Sequence, residues 1–461
     1  MPLTPTQLRA TVSTRLANLP REVYVMGGVA FCVALGFGIV APAIPLFAQE
    51  FGVSATAAGA VVSAFALMRF VTGPAAGWVV DRIGVRTSLL IGLVVVGLSS
   101  LFAGLSGDYE QLIVLRGIGG IGSALFGVAA ISVVLHVAAA HVRARAMGVY
   151  RSGFLIGGIV GPAFGGAVLA FSFRVPFFLY AGTLALAAAV AVVFLARPTR
   201  GAASVEEGPV EGGPAEGGPL EVGSVEVGSS EVGSVEGGSV EVEPAEEISR
   251  EVRQAPGPTL REVLRTRQYQ AALTSNLAIG FISLGLRSAI VPLFIHDAIG
   301  APDWWVGPAF VVSALVQMAL MYPAGSWADR VGRRPALVVG AGVTAGSLVL
   351  LGFSGSMAFV MIAMAVFGAG SAFLGTVPGA LVGDVAGKRS GVVIAVFNMA
   401  SDVGAVAGPV VAGWLVDQGS YLTAFSVGAG VAVLAGVLAL RLPQGVGVKD
   451  EAGSASQTVA R

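Results

Sequence analysis

Two ten-residue stretches of this chain have closely similar sequences: GWVVDRIGVR at residues 77–86 and GSWADRVGRR at residues 325–334. Both follow the pattern Gly-x-x-x-Asp-Arg-x-Gly, and the second lies 248 residues after the first. A further pattern, Gly-x-x-x-Gly-Pro, occurs at 157–162 and again at 404–409, at an offset of 247 residues. Two different motifs repeated at nearly the same offset indicate a chain built from two copies of one unit.

The composition indicates a lipid environment. The chain is 55% hydrophobic and 12% charged, with a mean hydropathy of +0.83, whereas soluble domains carry about 25% charged residues. The net charge of zero provides no basic field for nucleic acid, so we expect no nucleic-acid partner. The single cysteine, Cys32, has no second cysteine to pair with and excludes a cysteine-based zinc site. We predict no metal and no cofactor.

Twelve apolar segments are each long enough to cross ~30 Å of hydrocarbon as a helix. Short alternating segments, the signature of a strand barrel, are not the pattern here. We therefore predict an all-α membrane protein of twelve transmembrane helices, arranged as two six-helix bundles related by a parallel pseudo-two-fold repeat. The predicted spans are 24–48, 55–78, 87–105, 110–135, 146–170, 175–196, 268–295, 305–327, 335–353, 357–382, 391–416 and 420–441.

The distribution of basic residues predicts the orientation. The loops after spans 2, 4, 8 and 10 contain nine lysines and arginines, whereas the loops on the other side contain only Arg174. This asymmetry places the basic loops and both termini in the cytoplasm, with the chain a multi-pass protein of the cytoplasmic membrane. The nine residues are Arg82, Arg86, Arg143, Arg145, Arg330, Arg333, Arg334, Lys388 and Arg389.

A polar segment separates the two bundles. Between 201 and 258, glutamate recurs about every fifth residue among Gly, Ser, Val and Pro, a period that gives neither a helix nor a strand a face to bury. We predict a disordered acidic linker; attraction of a cationic solute or a basic partner is the alternative. The predicted divisions are a cytoplasmic segment 1–23, the first bundle 24–196, the linker 197–267, the second bundle 268–441 and a cytoplasmic tail 442–461.

These motifs, with twelve spans and a central linker, resemble the major facilitator superfamily over nearly the whole chain outside the linker and tails. In that family the motif after spans 2 and 8 forms a cytoplasmic gate that favours the outward-open state; a turn anchored by basic residues is the alternative. The first copy has Val85 where a basic residue is usual, which weakens one contact. The resemblance assigns the gate to Gly77, Asp81, Arg82, Gly84, Arg86, Gly325, Asp329, Arg330, Gly332, Arg333 and Arg334.

Span 5 resembles a second motif of the family, that of drug:proton antiporters. Small residues at every fourth position allow close helix packing, and Pro162 removes a backbone hydrogen bond. The resemblance implies export rather than import, although an ordinary packing helix would also use small residues. Span 11 repeats part of this pattern. The predicted packing residues are Gly148, Gly157, Gly161, Pro162, Gly165, Gly166, Gly404, Gly408 and Pro409.

Ionisable groups deep in a bilayer are costly and are candidates for function. Asp402 lies about twelve residues into span 11, or ~18 Å deep, and is the predicted proton carrier; a charge pair that joins two spans is the alternative. Arg116 of span 4 belongs to a pattern that the family links with proton transfer, although Gly119 replaces the usual glutamine. Three further arginines could bind an anionic substrate or pair with carbonyl groups. The predicted substrate cavity contains Arg69, Arg151, Arg287, Phe37, Tyr150, Asn276, Gln317 and Asn398.

The predicted function is secondary active transport, with proton-coupled efflux of a drug or another small molecule. Uptake or exchange of an organic anion or a sugar is the alternative transport function, and a membrane sensor is the non-transport alternative. Neither H-E-x-x-H nor G-x-S-x-G occurs in the chain, so we expect no enzyme. The expected partners are a small-molecule substrate, protons and membrane lipid. We expect a monomer, although the sequence itself does not decide the oligomeric state.

Overall fold

The structure is a computed structural model that describes residues 19–139, 142–195, 260–386 and 390–443. Twelve of its helices are long and apolar enough to cross a membrane, as predicted. They are α1 (Arg21–Val40, continued by Ala43–Gln49), α2 (Ala55–Ile83), α3 (Val85–Gly104), α4 (Tyr109–Val137), α5 (Arg143–Leu169), α6 (Val175–Phe194), α7 (Arg267–Ile279, continued to Ala298), α8 (Val306–Val331), α9 (Arg333–Gly352), α10 (Met357–Ala386), α11 (Ser390–Gln418) and α12 (Tyr421–Ala439).

The helix ends follow local sequence signals. Ser54 begins α2 by accepting a hydrogen bond from the Ala57 N–H, and Ser420 caps α12 in the same way. At the other end of α2, Gly84 has φ +89°, and its repeat equivalent Gly332 has φ +112°. Side chains rarely adopt this region, so the glycine of each repeated motif is required where one helix stops and the next begins.

Each bundle contains one closely packed pair of helices that is repeated in the other bundle. In the first, α5 packs against α1, where a Cβ on Gly157 would meet the Phe31 carbonyl oxygen at 2.5 Å. In the second, α11 packs against α7, where a Cβ on Gly408 would meet the Phe281 carbonyl oxygen at 2.5 Å. Lipid gives helices no hydrophobic reason to associate, so close backbone approach through small residues supplies the attraction.

Most of the predicted packing glycines lie in close helix contacts. Gly161 and Gly165 meet α1, and Gly404 meets α7. Gly148 is a correction, because nothing lies within 4 Å of the position of its Cβ. It lines a cavity instead, because the neighbouring Val149, and not Gly148, faces Gly27 of α1.

Helix α7 is less regular than the others. Its backbone is π-helical over Gly280–Leu286 and again over Phe294–Ala298, on both sides of an α-helical turn that contains Pro292. Gly280 and Gly285 face the backbone of Ser401 and Gly408 on α11. Such π-helical segments are frequent at functional sites, and this one directly precedes Arg287.

The structure corrects the end of the predicted linker. Residues Leu260–Arg265 form a short helix, and the Thr266 side chain caps α7 at Arg267. The apolar residues of LREVLR provide a face for packing, and Val263 is buried against the second bundle. The predicted disorder is therefore wrong for 260–267, while the acidic stretch 196–259 lies outside the described residues. Lys388, Arg389 and residues 444–461 lie outside them as well.

Candidate functional site

The first contact line between the bundles runs along α2 and α11. At one end, the Asp417 carboxylate accepts hydrogen bonds from the backbone N–H groups of Ala55 and Thr56, each at 2.9 Å. Further along, the Ser63 hydroxyl donates to the Val406 carbonyl at 2.7 Å. These bonds hold the two helices together near the end that carries the 1–2 and 11–12 loops.

The same contact line reaches a charge pair in the middle of the helices. Arg69 of α2 donates a hydrogen bond to Asp402 of α11 in a salt bridge. Arg69 lies 14 residues beyond Ala55, which corresponds to ~21 Å along the helix. The sequence predicted Asp402 as a proton carrier and Arg69 as a cavity residue. The structure pairs these two side chains across the two bundles.

A second contact line, between α5 and α8, is related to the first by the repeat. A Cβ added to Gly307 would lie 2.5 Å from the Gly166 Cα and 2.8 Å from the Pro162 carbonyl oxygen. Gly59, the repeat equivalent of Gly307, likewise approaches the carbonyl of Pro409, the equivalent of Pro162. Glycine opposite proline therefore lets the bundles touch backbone to backbone at both crossings.

The polar contacts do not follow this symmetry. The repeat equivalents of Arg69 and Asp402 are Gln317 and Leu155, which cannot form an ion pair. The equivalent of Asp417 is Ala170, which cannot cap a helix. Within the described residues, the charge pair and the cap therefore have no counterpart on the α5–α8 line.

A cavity of about 560 Å³, the central chamber, lies between the bundles. It is lined from both sides: α1, α2, α4, α5 and α6 form one wall, and α7 and α8 form the other. Arg69 and Arg287 are its charged lining residues. Two serines and three glycines also line it. Its seven aromatic lining residues are Phe37, Phe65, Phe126, Tyr150, Phe154, Tyr180 and Phe310.

A larger cavity of about 880 Å³, the wide chamber, lies towards the end of the helices that carries the basic loops. Phe154 lines both chambers. The wide chamber is formed by α5 on one side and by α7, α8, α10 and α11 on the other. Arg151, Asn276 and Asn398 line it, and the Asn276 amide also donates to the Phe397 carbonyl at 2.6 Å.

The structure brings most of the predicted cavity residues together. The central chamber is lined by Arg69, Arg287, Phe37 and Tyr150. The wide chamber is lined by Arg151, Asn276 and Asn398. Gln317 is the exception, since it lines neither chamber; its amide nitrogen lies 3.7 Å from the Cβ position of Gly375. A single aromatic residue in an apolar span carries no signal of which way it faces, so five aromatic lining residues were not predicted: Phe65, Phe126, Phe154, Tyr180 and Phe310. The missed polar residues are Ser123, Tyr180 and Ser288.

Two arginines in the middle of the bundles interact with aromatic rings. Arg116 is 3% exposed, and its guanidinium carbon lies 4.6 Å from the centre of the Phe65 ring. The Arg287 guanidinium lies 4.9 Å from the Phe310 ring and 5.7 Å from the Phe367 ring. Among the described residues, the buried Nε of each has no hydrogen-bond partner. Within the part of the chain that the structure describes, Asp402 pairs with Arg69 and forms no ion pair with Arg116.

The side-chain contacts found for Asp329, Arg82 and Arg86 lie within their own bundles. Nothing lies within 4 Å of the Cβ positions of Gly77 and Gly325, and Asp81 is exposed. Asp329 forms a salt bridge with Arg333 on the next helix. Val85 stands at the equivalent position of the first copy and cannot do the same. The bundles are therefore closed at the 1–2 and 11–12 loops and apart at the motif end.

The remaining motif arginines lie near their own bundle. Arg82 lies over the Trp78 ring at 5.3 Å, and Arg86 donates to the Val192 carbonyl at 2.7 Å. Arg330 lines a groove of about 490 Å³ beside Trp327. In this conformation Arg82, Arg86 and Arg330 thus lie against the helices of their own bundles.

Comparison with known families accounts for this architecture. The family model of the Major Facilitator Superfamily matches residues 26–317 and 273–458, which together span most of the chain. The chain belongs to the major facilitator superfamily. Members of this superfamily are transporters, so the twelve helices, the duplicated bundles and the cavity between them form a transporter fold.

Among characterised superfamily members, the chain is similar to bacterial resistance proteins. Multidrug resistance protein 2 of Bacillus subtilis (strain 168) is 34% identical over 177 residues, which cover 38% of this chain and 43% of that protein. Quinolone resistance protein NorA of Staphylococcus aureus (strain MRSA252) is 28% identical over 176 residues, which cover 38% and 45%. The matched part thus spans less than half the length of each relative.

Solved transporter structures share the fold across nearly the whole chain. A POT family transporter in complex with 5-aminolevulinic acid matches with a TM-score of 0.67 and 12% identity, covering 91% of this chain and 96% of that one. A bacterial homolog to the human lysosomal transporter Spinster, in an inward-facing and unoccupied conformation, matches with a TM-score of 0.63 and 15% identity, covering 91% and 94%. At these identities the likeness concerns the fold alone.

Proposed function

We propose that this chain is a secondary active transporter that exports a small molecule in exchange for protons. The observation that carries the proposal is the Arg69–Asp402 salt bridge, which joins the two bundles beside the central chamber. The similarity to multidrug and quinolone resistance proteins supports export over a limited part of the chain. The proposed location is the cell membrane, with the basic loops and both termini in the cytoplasm.

The salt bridge provides a physical route for coupling. Side-chain exposures of 35% for Arg69 and 25% for Asp402 leave both groups in reach of water from the cavity. An unpaired charge deep in a bilayer costs ~3 kcal/mol on insertion scales, and pairing with Arg69 offsets that cost for the Asp402 carboxylate. A proton that reaches Asp402 replaces Arg69 and removes an attraction between the bundles. Protonation and the arrangement of the bundles thereby become linked.

The wide chamber indicates from which side of the membrane the solute enters in this conformation. With the basic loops in the cytoplasm, the wide chamber faces the cytoplasm and the α2–α11 and α5–α8 crossings close the outer side. Rocking of the bundles about the central chamber would bring the two repeated motifs against the opposite bundle. Each proton that enters down the membrane potential contributes about 2.3 kcal/mol per 100 mV to export.

The test is a proton-flux assay on the full-length protein in reconstituted vesicles that contain a pH-sensitive dye. Cationic drugs, organic anions and sugars are added in turn at a fixed pH gradient. Substrate-dependent proton movement against the direction of the solute is the expected result. Proton movement together with the solute would instead establish uptake, the alternative transport function.

Counterflow of labelled solute separates the remaining possibilities. Saturable counterflow without proton movement would overturn proton coupling and leave a uniporter or an exchanger. Absence of both activities in protein shown to be folded would favour a sensor built on the transporter fold.

A further inference from the structure

The chambers contain positive charge that no carboxylate of their lining balances. Arg69 and Arg287 line the central chamber and Arg151 lines the wide chamber, while neither lining includes an aspartate or a glutamate. Asp402 neutralises Arg69 from beside the central chamber. Arg287 and Arg151 have no ion pair among the described residues. The path from the motif end to the middle of the bundles is therefore positive.

The Arg287 guanidinium lies over aromatic rings, and its buried Nε has no hydrogen-bond partner among the described residues. Two rings, Phe310 and Phe367, interact with the guanidinium, and contacts of this kind contribute ~0.5–2 kcal/mol. They do not satisfy the N–H donors, which point outward in the plane of the group. The buried Nε without a partner is one such donor. Arg287 therefore lines the chamber with a donor that an anionic group could satisfy.

Arg116 repeats this arrangement from the first bundle. Its guanidinium lies over Phe65, and its buried Nε also has no hydrogen-bond partner. It lines a recess of about 50 Å³ that shares Phe37, Phe65 and Ser288 with the central chamber. Each bundle therefore contributes one arginine, Arg116 or Arg287, whose buried Nε has no hydrogen-bond partner and which lies at or beside the central chamber.

The shape and walls of the chamber define the rest of the ligand. A volume of about 560 Å³ is within the usual range for small-molecule sites, and rings from five helices of the first bundle and one of the second line it. Flat aromatic bodies stack favourably on such walls. Charge-assisted hydrogen bonds to guanidinium are strongest for carboxylate, sulfonate and phosphate groups, which match its fork.

We propose that the central chamber binds organic anions with an aromatic body, and that Arg287 holds the anionic group. The inference rests on the proposed transport function and specifies its substrate class. Arg116 adds positive potential from the opposite bundle, so an anion between the two attracts both halves of the transporter. A lipophilic cation would meet uncompensated positive charge at the same place.

Equilibrium binding to the purified full-length protein tests this with three matched probes: naphthalene-1-sulfonate, 1-naphthalenemethanol and 1-naphthylmethylammonium. We expect the sulfonate to bind about tenfold tighter than the alcohol and the ammonium to bind weakest. Arg287→Gln should weaken the sulfonate about tenfold and leave the alcohol within about twofold. Arg287→Lys should retain part of the preference, since it keeps the charge and loses the fork.

Arg441→Gln, which removes one positive charge from the exposed end after α12, is the matched control and should change none of the three affinities. Binding of the ammonium as tight as that of the sulfonate would overturn the proposal. So would equal weakening of all three probes by Arg287→Gln, or failure of the sulfonate to saturate wild-type protein at millimolar concentration. If Arg287→Gln does not fold, the ranking of the probes on wild-type protein decides.

This binding assay uses no pH gradient, so its outcome is independent of proton coupling. Sulfonate selectivity without any proton flux would retain this inference and overturn the proposed function. Proton-driven export of a cation by protein that does not select the sulfonate would overturn this inference and retain the proposed function.

Discussion

Arg69 and Asp402 form a salt bridge between the two six-helix bundles, at the wall of the central chamber. Their repeat equivalents, Gln317 and Leu155, have no charge to pair. Among the described residues, this charge pair therefore has no counterpart on the α5–α8 line. We propose that the pair has a role beyond the assembly of two similar bundles.

The first prediction concerns Asp402. We expect Asp402→Asn to abolish transport driven by a pH gradient and to leave solute exchange at equal pH partly intact, because asparagine carries no exchangeable proton. Uptake and efflux of labelled solute in reconstituted vesicles measure both activities. Glu110→Gln, an exposed carboxylate in the first turn of α4, is the control and should change neither. Equal loss of both activities in Asp402→Asn would reduce the pair to a structural contact.

The glycine crossings should govern closure of the side opposite the motifs. Gly307→Ala places a Cβ 2.5 Å from the Gly166 Cα, so the bundles must separate there. We expect a cysteine placed at Ser288, in a chain with Cys32 replaced, to be labelled several-fold faster by an impermeant reagent from that side. Gly342→Ala in α9 has nothing within 4 Å and serves as the control. An unchanged labelling rate in Gly307→Ala would show that the α5–α8 contact adjusts to the added Cβ without opening the chamber.

Asp417 should stabilise the same closure through a helix cap. Its carboxylate accepts two backbone N–H groups at the start of α2, and loss of a cap costs ~1 kcal/mol. We expect Asp417→Ala to raise the open population roughly fivefold, as measured by distances between spin labels on the 1–2 and 7–8 loops. Ala170→Ser, at the uncharged repeat equivalent, should leave the distances unchanged. A distance distribution like that of the wild type in Asp417→Ala would mean that the cap adds nothing to closure.

The motif glycines should matter only after the bundles have moved. Nothing lies within 4 Å of the Cβ position of Gly77 or of Gly73, four residues earlier on the same helix. We expect Gly77→Val and Gly73→Val to show similar thermal stability in detergent, because both side chains have space in this state. Transport should fall strongly in Gly77→Val alone if the motif packs against the opposite bundle. Comparable transport by the two variants would contradict a gate at this glycine.

The acidic linker should be dispensable for transport. Deletion of residues 205–250 removes a stretch whose repeated glutamates give no face for burial, so we expect nearly normal transport per inserted molecule. A scrambled linker of the same composition is the control for length. A large decrease with the deletion, together with normal activity of the scrambled form, would indicate a role for the length or composition of the linker rather than for the order of its residues.

The sequence alone determined the architecture. Apolar runs of span length can satisfy their backbone in lipid only as helices, so twelve spans followed without any tertiary information, and the 248-residue offset of the two motifs divided them into two bundles. Gly157 and Gly408 were predictable packing positions because a small residue at every fourth position marks one helix face. The helix at 260–265 was missed because six residues are too few for a periodic signal to stand out.

The tertiary structure decided which charges meet. Asp402 and Arg69 each stood out in the sequence as costly groups in a span, but 333 positions separate them, and no local pattern relates the rotation of α2 to that of α11. The aromatic lining and the ring contacts of Arg116 and Arg287 were hidden for the same reason. Burial in lipid dictates that a span is a helix, and only packing against its neighbours fixes which of its faces points into the cavity.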